Sequence, residues 1–177
     1  GDPHHPAAAD ILVEGSRIAK VEPGLAGTEA GDVGAANIID AAGKLVIPGF
    51  VNAHFHSHDV LLKGCFDAMP QDMWVINALP PAFPMRSAEE VRARTLLGAV
   101  ERLHNGTTTI QDMLTIFPFS EEHLDVVLEA YESIGIRVVF GMQIGDVSGL
   151  DRVPYWREVV PEEYHKYLGA YVEPYGD

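Results

Sequence analysis

The stretch that decides the fold is KLVIPGFVNAHFH, residues 44–56. Pro48-Gly49 predicts a turn, and Val51–Phe55 predicts the strand that follows it. Side chains two apart on a strand point to the same side, so the imidazoles of His54 and His56 can face one point. Neutral imidazole nitrogens are good ligands for zinc and similar divalent ions. The stretch therefore predicts the start of a metal site at the carboxyl end of a strand, where α/β proteins build their active sites.

Helices and strands alternate after this stretch. Ser87–Glu90 forms a capping box that predicts the start of a helix, and Asn105-Gly106 predicts its end. Residues 107–113 are typical of a strand, residues 120–135 of a second amphipathic helix, and residues 136–140 of a further strand. The order strand, helix, strand, helix, strand predicts an α/β fold with parallel strands and crossover helices.

The segment before the deciding stretch has a β pattern. Asp10–Glu14 and Arg17–Val21 flank Gly15-Ser16, which predicts a hairpin. Asn37–Asp40 predicts a third short strand, and residues 44–46 predict another after a turn. A lone hairpin is marginal in water, so these strands need further partners.

Charge and cysteine content narrow the function classes. Twelve Lys and Arg face 26 Asp and Glu, a formal net charge of −14. That field repels nucleic acid and anionic membrane surfaces, so we expect neither as a partner. Cys65 is the single cysteine, which excludes an intramolecular disulfide and fits a reducing compartment. With no export signal or membrane span visible in the sequence, we expect a cytoplasmic protein.

Residues 44–56 resemble the opening of amidohydrolase-superfamily enzymes, where a small β-domain passes through a Pro-Gly turn into the first barrel strand. Further along, residues 61–64 (LLKG), Met69-Pro70, Trp74 and residues 105–109 (NGTTT) are similar to the cytosine deaminase and chlorohydrolase-like branch. That branch includes deaminases of adenosine-type thioethers, guanine and triazines. The resemblance runs in register from Asp10 to Met142 and is loose beyond that residue.

The resemblance implies a partial (β/α)8 TIM barrel of about three strands, preceded by part of a small β-sandwich domain. Residues 1–46 would belong to the β-domain and residues 47–177 to the first part of the barrel. The family binds one divalent ion, zinc or alternatively iron, with His54 and His56 as its first two ligands. The resemblance implies that the other ligands are histidines of the fifth and sixth strands and an aspartate of the eighth, so we expect the chain as given to be a catalytically incomplete fragment.

The activity implied is metal-dependent hydrolysis of a C–N bond outside peptides. The reaction expected within this class is the deamination of a heterocyclic amine. The ion makes water nucleophilic near neutral pH. The partner is then a small-molecule substrate, and the family suggests a homodimer. Two alternatives stay open: an amidase, cyclic amidase or dehalogenating hydrolase of the same superfamily, and a non-catalytic truncated protein that binds a metal or a partner.

Two further residues are candidates for substrate binding. His58 continues the alternation of His54 and His56 and could be a third ligand, touch substrate, or be an ordinary loop histidine. Trp74 aligns with a tryptophan near the substrate in related deaminases, where an aromatic face could stack on a heteroaromatic ring, although packing in a core or lid explains it equally well. For Asp112, at the end of the second barrel strand, a hydrogen-bonding structural role is expected.

Overall fold

The computed structural model describes residues 6–25, 37–78, 86–116, 120–142, 153–163 and 165, without the side chains of residues 75 and 78. The chain divides into two compact units, Gly1–Ile47 and Pro48–Asp177. Within the described ranges, no helix combines the length and the apolar character that a bilayer span requires.

The first unit contains the predicted hairpin. Strand β1 (Asp10–Glu14) pairs antiparallel with β2 (Arg17–Glu22), with an irregularity in register after Leu12. Gly15, in the turn, has φ +58°, a conformation that glycine adopts without steric cost. The hairpin prediction is confirmed.

The prediction of two further strands in this unit is wrong. Residues 37–40 and 44–46 have no strand conformation, and Lys44 N donates instead to Ala41 O at 2.9 Å across a turn. Their apolar side chains are open to solvent, with Ile39 87% and Leu45 71% exposed. A strand needs a neighbour to pair its amides, and the described part of the unit offers these residues none. Of the expected β-sandwich, the described part of this unit therefore contains a single hairpin, β1 with β2.

The second unit is built on a parallel sheet of three strands in the order β3-β4-β5, which follows the order of the chain. The α/β prediction is confirmed, with bounds close to those expected. The elements are β3 (Phe50–Phe55), a 3-10 helix (Ser57–Leu62), α1 (Gln71–Ala78), α2 (Ala88–His104), β4 (Thr107–Leu114), α3 (Glu121–Ile134), β5 (Arg137–Met142) and α4 (Trp156–Val159).

The two long helices begin and end where the sequence indicates. The Ser87 hydroxyl accepts from Glu90 N at 3.1 Å, and Ser120 caps α3 in the same way. The Glu90 side chain, expected to reach back to the cap, forms an ion pair with Arg86. Gly135 ends α3 with φ +74°, the left-handed conformation typical of a helix terminus.

The core lies between the sheet and the helices α2 and α3. It is formed by Phe55, Val60, Val91, Ala99, Ile110, Leu114, Ile116, Val127, Tyr131 and Ile136. Because neighbouring side chains on a strand alternate between faces, the burial of Phe55 directs His54 to the opposite face of β3. The packing of one residue thus sets the side on which the histidine site opens.

Gly98 gives a test of this packing. A Cβ at Gly98 in α2 would lie 2.8 Å from Phe55 Cζ and 3.0 Å from Val60 Cγ2. We expect Gly98→Val to lower the free energy of unfolding by about 1–3 kcal/mol, because the added methyls overpack the contact between α2 and β3. Urea titration measures it, with Leu97→Val at a partly exposed position of the same helix as control, expected within ~0.5 kcal/mol of wild type. Equal stability of Gly98→Val and wild type would contradict the close approach.

Candidate functional site

His54 and His56 form a close pair at the carboxyl end of β3. Their Nε2 atoms are 3.1 Å apart, and their rings are nearly perpendicular, with centroids 4.8 Å apart. His56 keeps an extended backbone (φ −129°, ψ 99°) although β3 ends one residue earlier, so the alternation of the strand continues through it. His54 is exposed and His56 half-buried, which leaves the pair accessible to a ligand.

The pair fits two ligands of one divalent ion. Zinc–imidazole bonds are ~2.0–2.1 Å long, so two ligands of one tetrahedral ion lie roughly 3.3 Å apart, close to the observed separation. His56 Nδ1 lies 2.8 Å from Met113 O. A carbonyl oxygen only accepts hydrogen bonds, so Nδ1 carries the proton and the Nε2 lone pair is left for a metal. Within the described ranges, no group of three or more His, Cys, Asp or Glu could hold an ion.

His58 contacts this pair but has its own hydrogen bonds. Its ring centroid is 5.2 Å from that of His56, and its Nδ1 accepts from Thr115 N at 3.2 Å. Its Nε2 lies 3.5 Å from Asp59 Oδ1. Burial is the largest cause, and the nearby His56 and the positive charges of Arg94 and Arg86 add to it; together they lower the pKa of His58 to about 3, so its ring is neutral at physiological pH. Burial also raises the pKa of Asp59.

The structure does not place Trp74 among the three histidines. Trp74 lies in α1 and is half-buried, and its backbone amide donates to Pro70 O at 2.9 Å. Of the four candidate residues, His56 therefore contacts both His54 and His58, and Trp74 belongs to the helix α1.

Sequence reasoning missed part of a buried polar network beneath the site. Asp112 is 0% exposed; its Oδ1 accepts from Ser57 N at 3.0 Å, and its Oδ2 accepts from Tyr131 OH at 2.6 Å. These bonds confirm the expected structural role of Asp112, but the pattern of an amphipathic helix over residues 120–135 does not reveal that the hydroxyl of Tyr131 has a polar partner. Arg94 is also buried; burial and the charge of Arg86 lower its pKa to about 10, while Asp59 and Asp112 favour its charged form. A charged residue at a core-facing position of α2 was the signal that could have revealed it.

The protonation of His58 predicts a pH dependence of stability. In the folded chain the pKa of His58 is about 3, below the ordinary value of 6.5. Between pH 6.5 and pH 3, His58 therefore binds a proton in the unfolded chain but stays neutral in the folded chain. Stability is therefore complete above 6.5 and is lost as the pH falls towards 3. Between about pH 7 and pH 5, the free energy of unfolding of the metal-free wild type should fall by about 2 kcal/mol more than that of His58→Asn.

Asparagine is chosen because its Oδ1 can accept from Thr115 N in place of the imidazole. Urea titrations at each pH measure the difference, and His104→Asn, at the exposed end of α2, is the matched control that should follow wild type. Parallel profiles for wild type and His58→Asn would show that His58 is protonated in the folded chain as well.

A model described as "Amidohydrolase family" matches residues 45–175. A 5-methylthioadenosine/S-adenosylhomocysteine deaminase of Thermococcus kodakarensis is 37% identical over 144 residues, which cover 81% of this chain and 31% of the relative. A 5'-deoxyadenosine deaminase of Methanothermobacter thermautotrophicus is 34% identical over 143 residues, with the same coverage.

Two solved structures are similar in fold. A mutant of the atrazine chlorohydrolase TrzN from Arthrobacter aurescens, complexed with zinc and atraton, aligns with a TM-score of 0.63 and 25% identity, covering 79% of this chain and 32% of that one. A triazine hydrolase variant aligns with a TM-score of 0.68 and 23% identity, covering 82% and 32%. This chain therefore spans about a third of the length of the relatives it matches.

The family model spans well over half of this chain and begins inside the stretch that contains the histidine pair, so the chain belongs to the amidohydrolase family.

Proposed function

We propose that this chain is the metal-binding start of a hydrolase that acts on C–N bonds outside peptides and deaminates a heterocyclic amine. The observation that carries the proposal is the pair of His54 and His56 with Nε2 atoms 3.1 Å apart, in a chain of the amidohydrolase family. Its relatives named as deaminases of adenosine-type nucleosides support the choice of reaction.

In this proposal His54 and His56 hold one divalent ion. Zinc is the first choice because the similar atrazine chlorohydrolase is complexed with zinc, and iron is the alternative because imidazole binds both. When bound, such an ion supplies Lewis-acid chemistry that makes water nucleophilic near neutral pH. The remaining ligands would come from a longer protein, in which β3, β4 and β5 are the first three strands of a (β/α)8 barrel. The site would then open at the carboxyl face of that barrel.

The reaction replaces the bond between a ring carbon and its amino group by a bond to the oxygen of water, and ammonia leaves. His54 and His56 contribute by holding the ion, and the hydrogen bond to Met113 O keeps His56 in the tautomer that can do so. Proton transfer to the leaving amine needs a further acid or base, which we place in the rest of the protein.

We propose substrate contacts for Trp74 and His58. The half-buried indole of Trp74 offers an aromatic face on which a heteroaromatic ring can stack. His58 is neutral, and because its Nδ1 accepts a hydrogen bond, its Nε2 carries the proton and can donate to a polar group of the substrate. The substrate class favoured is a small adenosine-type nucleoside.

Dehalogenation is the second candidate function, since the likeness to an atrazine chlorohydrolase favours it. The same metal pair would serve an amidase or cyclic amidase, and only the products discriminate. A cytoplasmic location, assembly as a homodimer and the division into domains at residues 1–46 and 47–177 stay predictions.

The metal and the activity are tested together on the complete protein. We expect one divalent ion per chain by elemental analysis, ammonia release from 5'-substituted adenosines, and loss of activity with a chelator that zinc restores. His54→Ala combined with His56→Ala should abolish metal binding while the circular dichroism spectrum stays unchanged, because the pair lies on the accessible face of β3. His104→Ala is the matched control, since His104 is an exposed histidine at the end of α2. Normal metal content in the double variant would contradict the ligand assignment. Chloride release from a chlorinated triazine, without ammonia release from the adenosines, would favour the second function.

The role of Trp74 is tested separately by kinetics. Stacking of a base on an aromatic side chain contributes ~1–3 kcal/mol, so Trp74→Ala should raise KM about tenfold or more with kcat little changed. Trp74→Phe keeps an aromatic face and should lie between the two. A KM equal to that of wild type in both variants would assign Trp74 to packing.

A further inference from the structure

The residues that follow His54 form hydrogen bonds with the carboxyl end of β4. Three consecutive residues, one of them the second histidine, each form a hydrogen bond with the carboxyl end of this strand, at distances of 2.8–3.2 Å. The bonds are His56 Nδ1 with Met113 O, Ser57 N with Asp112 Oδ1, and His58 Nδ1 with Thr115 N. Their partners are 55 to 57 residues apart in the chain, so only the parallel pairing of β3 with β4 brings them together.

One of these three contacts is supported from behind. The Asp112 carboxylate is fully buried, and Tyr131 of α3 donates its hydroxyl to the second oxygen at 2.6 Å. Asp112 also raises the pKa of Tyr131, after the larger effect of burial, so the hydroxyl keeps the proton that it donates. Arg94 of α2 is also buried, and Asp112 is one of the groups that favour its charged form against the larger effect of burial.

A buried carboxylate is costly unless its oxygens are paired. Both oxygens of Asp112 are used, one for the phenol of Tyr131 and the other for the backbone amide of Ser57. Ser57 directly follows His56, so the position of this amide sets where the His56 backbone leaves the strand. Removing the phenol leaves one oxygen without its donor, and the carboxylate can then turn away from Ser57.

We propose that Asp112 and Tyr131 are positioning residues for the metal ligand His56: they fix the Ser57 backbone and thereby keep the His56 ring on Met113 O with Nε2 facing His54. The inference rests on the proposed function, because it assigns these residues a role toward the same metal site. Neither residue touches the ion or the substrate. Partners that orient a metal ligand typically contribute 10–100-fold to metal affinity.

The experiment uses the full-length protein with ¹⁵N-labelled histidine and two readouts. In the metal-free protein, NMR of the imidazole nitrogens reports the tautomer of His56, and chelator competition gives the Kd for zinc. We expect wild type to show one tautomer with the proton on Nδ1. Tyr131→Phe should show a mixture of tautomers and a Kd raised about 10–100-fold.

Asp112→Asn is the second variant: its neutral amide oxygen accepts more weakly from Ser57 N than the carboxylate does, so both readouts should change in the same direction as in Tyr131→Phe, by a smaller amount. Because Asp112 and Tyr131 act in one path, the double variant should weaken zinc binding no more than the stronger single variant, instead of by the product of the two. Tyr155→Phe is the matched control: it removes a tyrosine–aspartate hydrogen bond of the same kind, from Tyr155 OH to Asp72 Oδ2 at 2.9 Å, and should change neither readout.

A purely structural network would lower the melting temperature of Tyr131→Phe and Asp112→Asn while the tautomer of His56 and the Kd of the folded fraction stay as in wild type, and that result overturns the proposal. If wild type binds no zinc, or binds it without His54 and His56, the proposed function fails instead. The tautomer of His56 in metal-free Tyr131→Phe then still decides the positioning role, since that readout needs no metal.

Discussion

The parallel pairing of β3 with β4 determines where the histidine pair of the second unit lies and which residues support it. Phe55 lies opposite Asp112 in the register, so the last residues of β4 meet the chain just as it leaves β3. A parallel pair requires a crossover, which α2 supplies, and this crossover helix also carries the buried Arg94. Register, helix packing and the histidine pair are therefore consequences of one pairing.

Much of the second unit could be predicted from the sequence because its signals are local. Caps such as Ser87 and Ser120 fix helix starts through a bond within the first turn, and the alternation of apolar residues fixes the strands. The position of His54 and His56 on one side of a strand also follows from local periodicity. In the first unit, β propensity at residues 37–40 did not suffice, because a strand forms only where a partner is present to pair its amides.

The support of the histidine pair could not be predicted in the same way. The contacts of Asp112 with Ser57 and Tyr131 join residues 55 and 19 positions apart, and the partners come from a strand end, the start of a 3-10 helix and an α-helix. Tyrosine in an apolar helical stripe has the periodicity of a core residue whether or not its hydroxyl has a polar partner. Only the fold shows which core residue carries a hydrogen bond to the site.

The burial of Asp112 also constrains how such a sequence can diverge. The acid is tolerated in the core only while a phenol and a backbone amide pair with its oxygens, so the two side chains cannot drift independently. A lineage that replaces Tyr131 by phenylalanine leaves the buried Asp112 carboxylate without one hydrogen-bond donor. A lineage that replaces Asp112 first leaves the Tyr131 hydroxyl without its acceptor. Viable replacements should therefore arise in pairs, and covariation between positions 112 and 131 would be the evolutionary trace of a hydrogen bond.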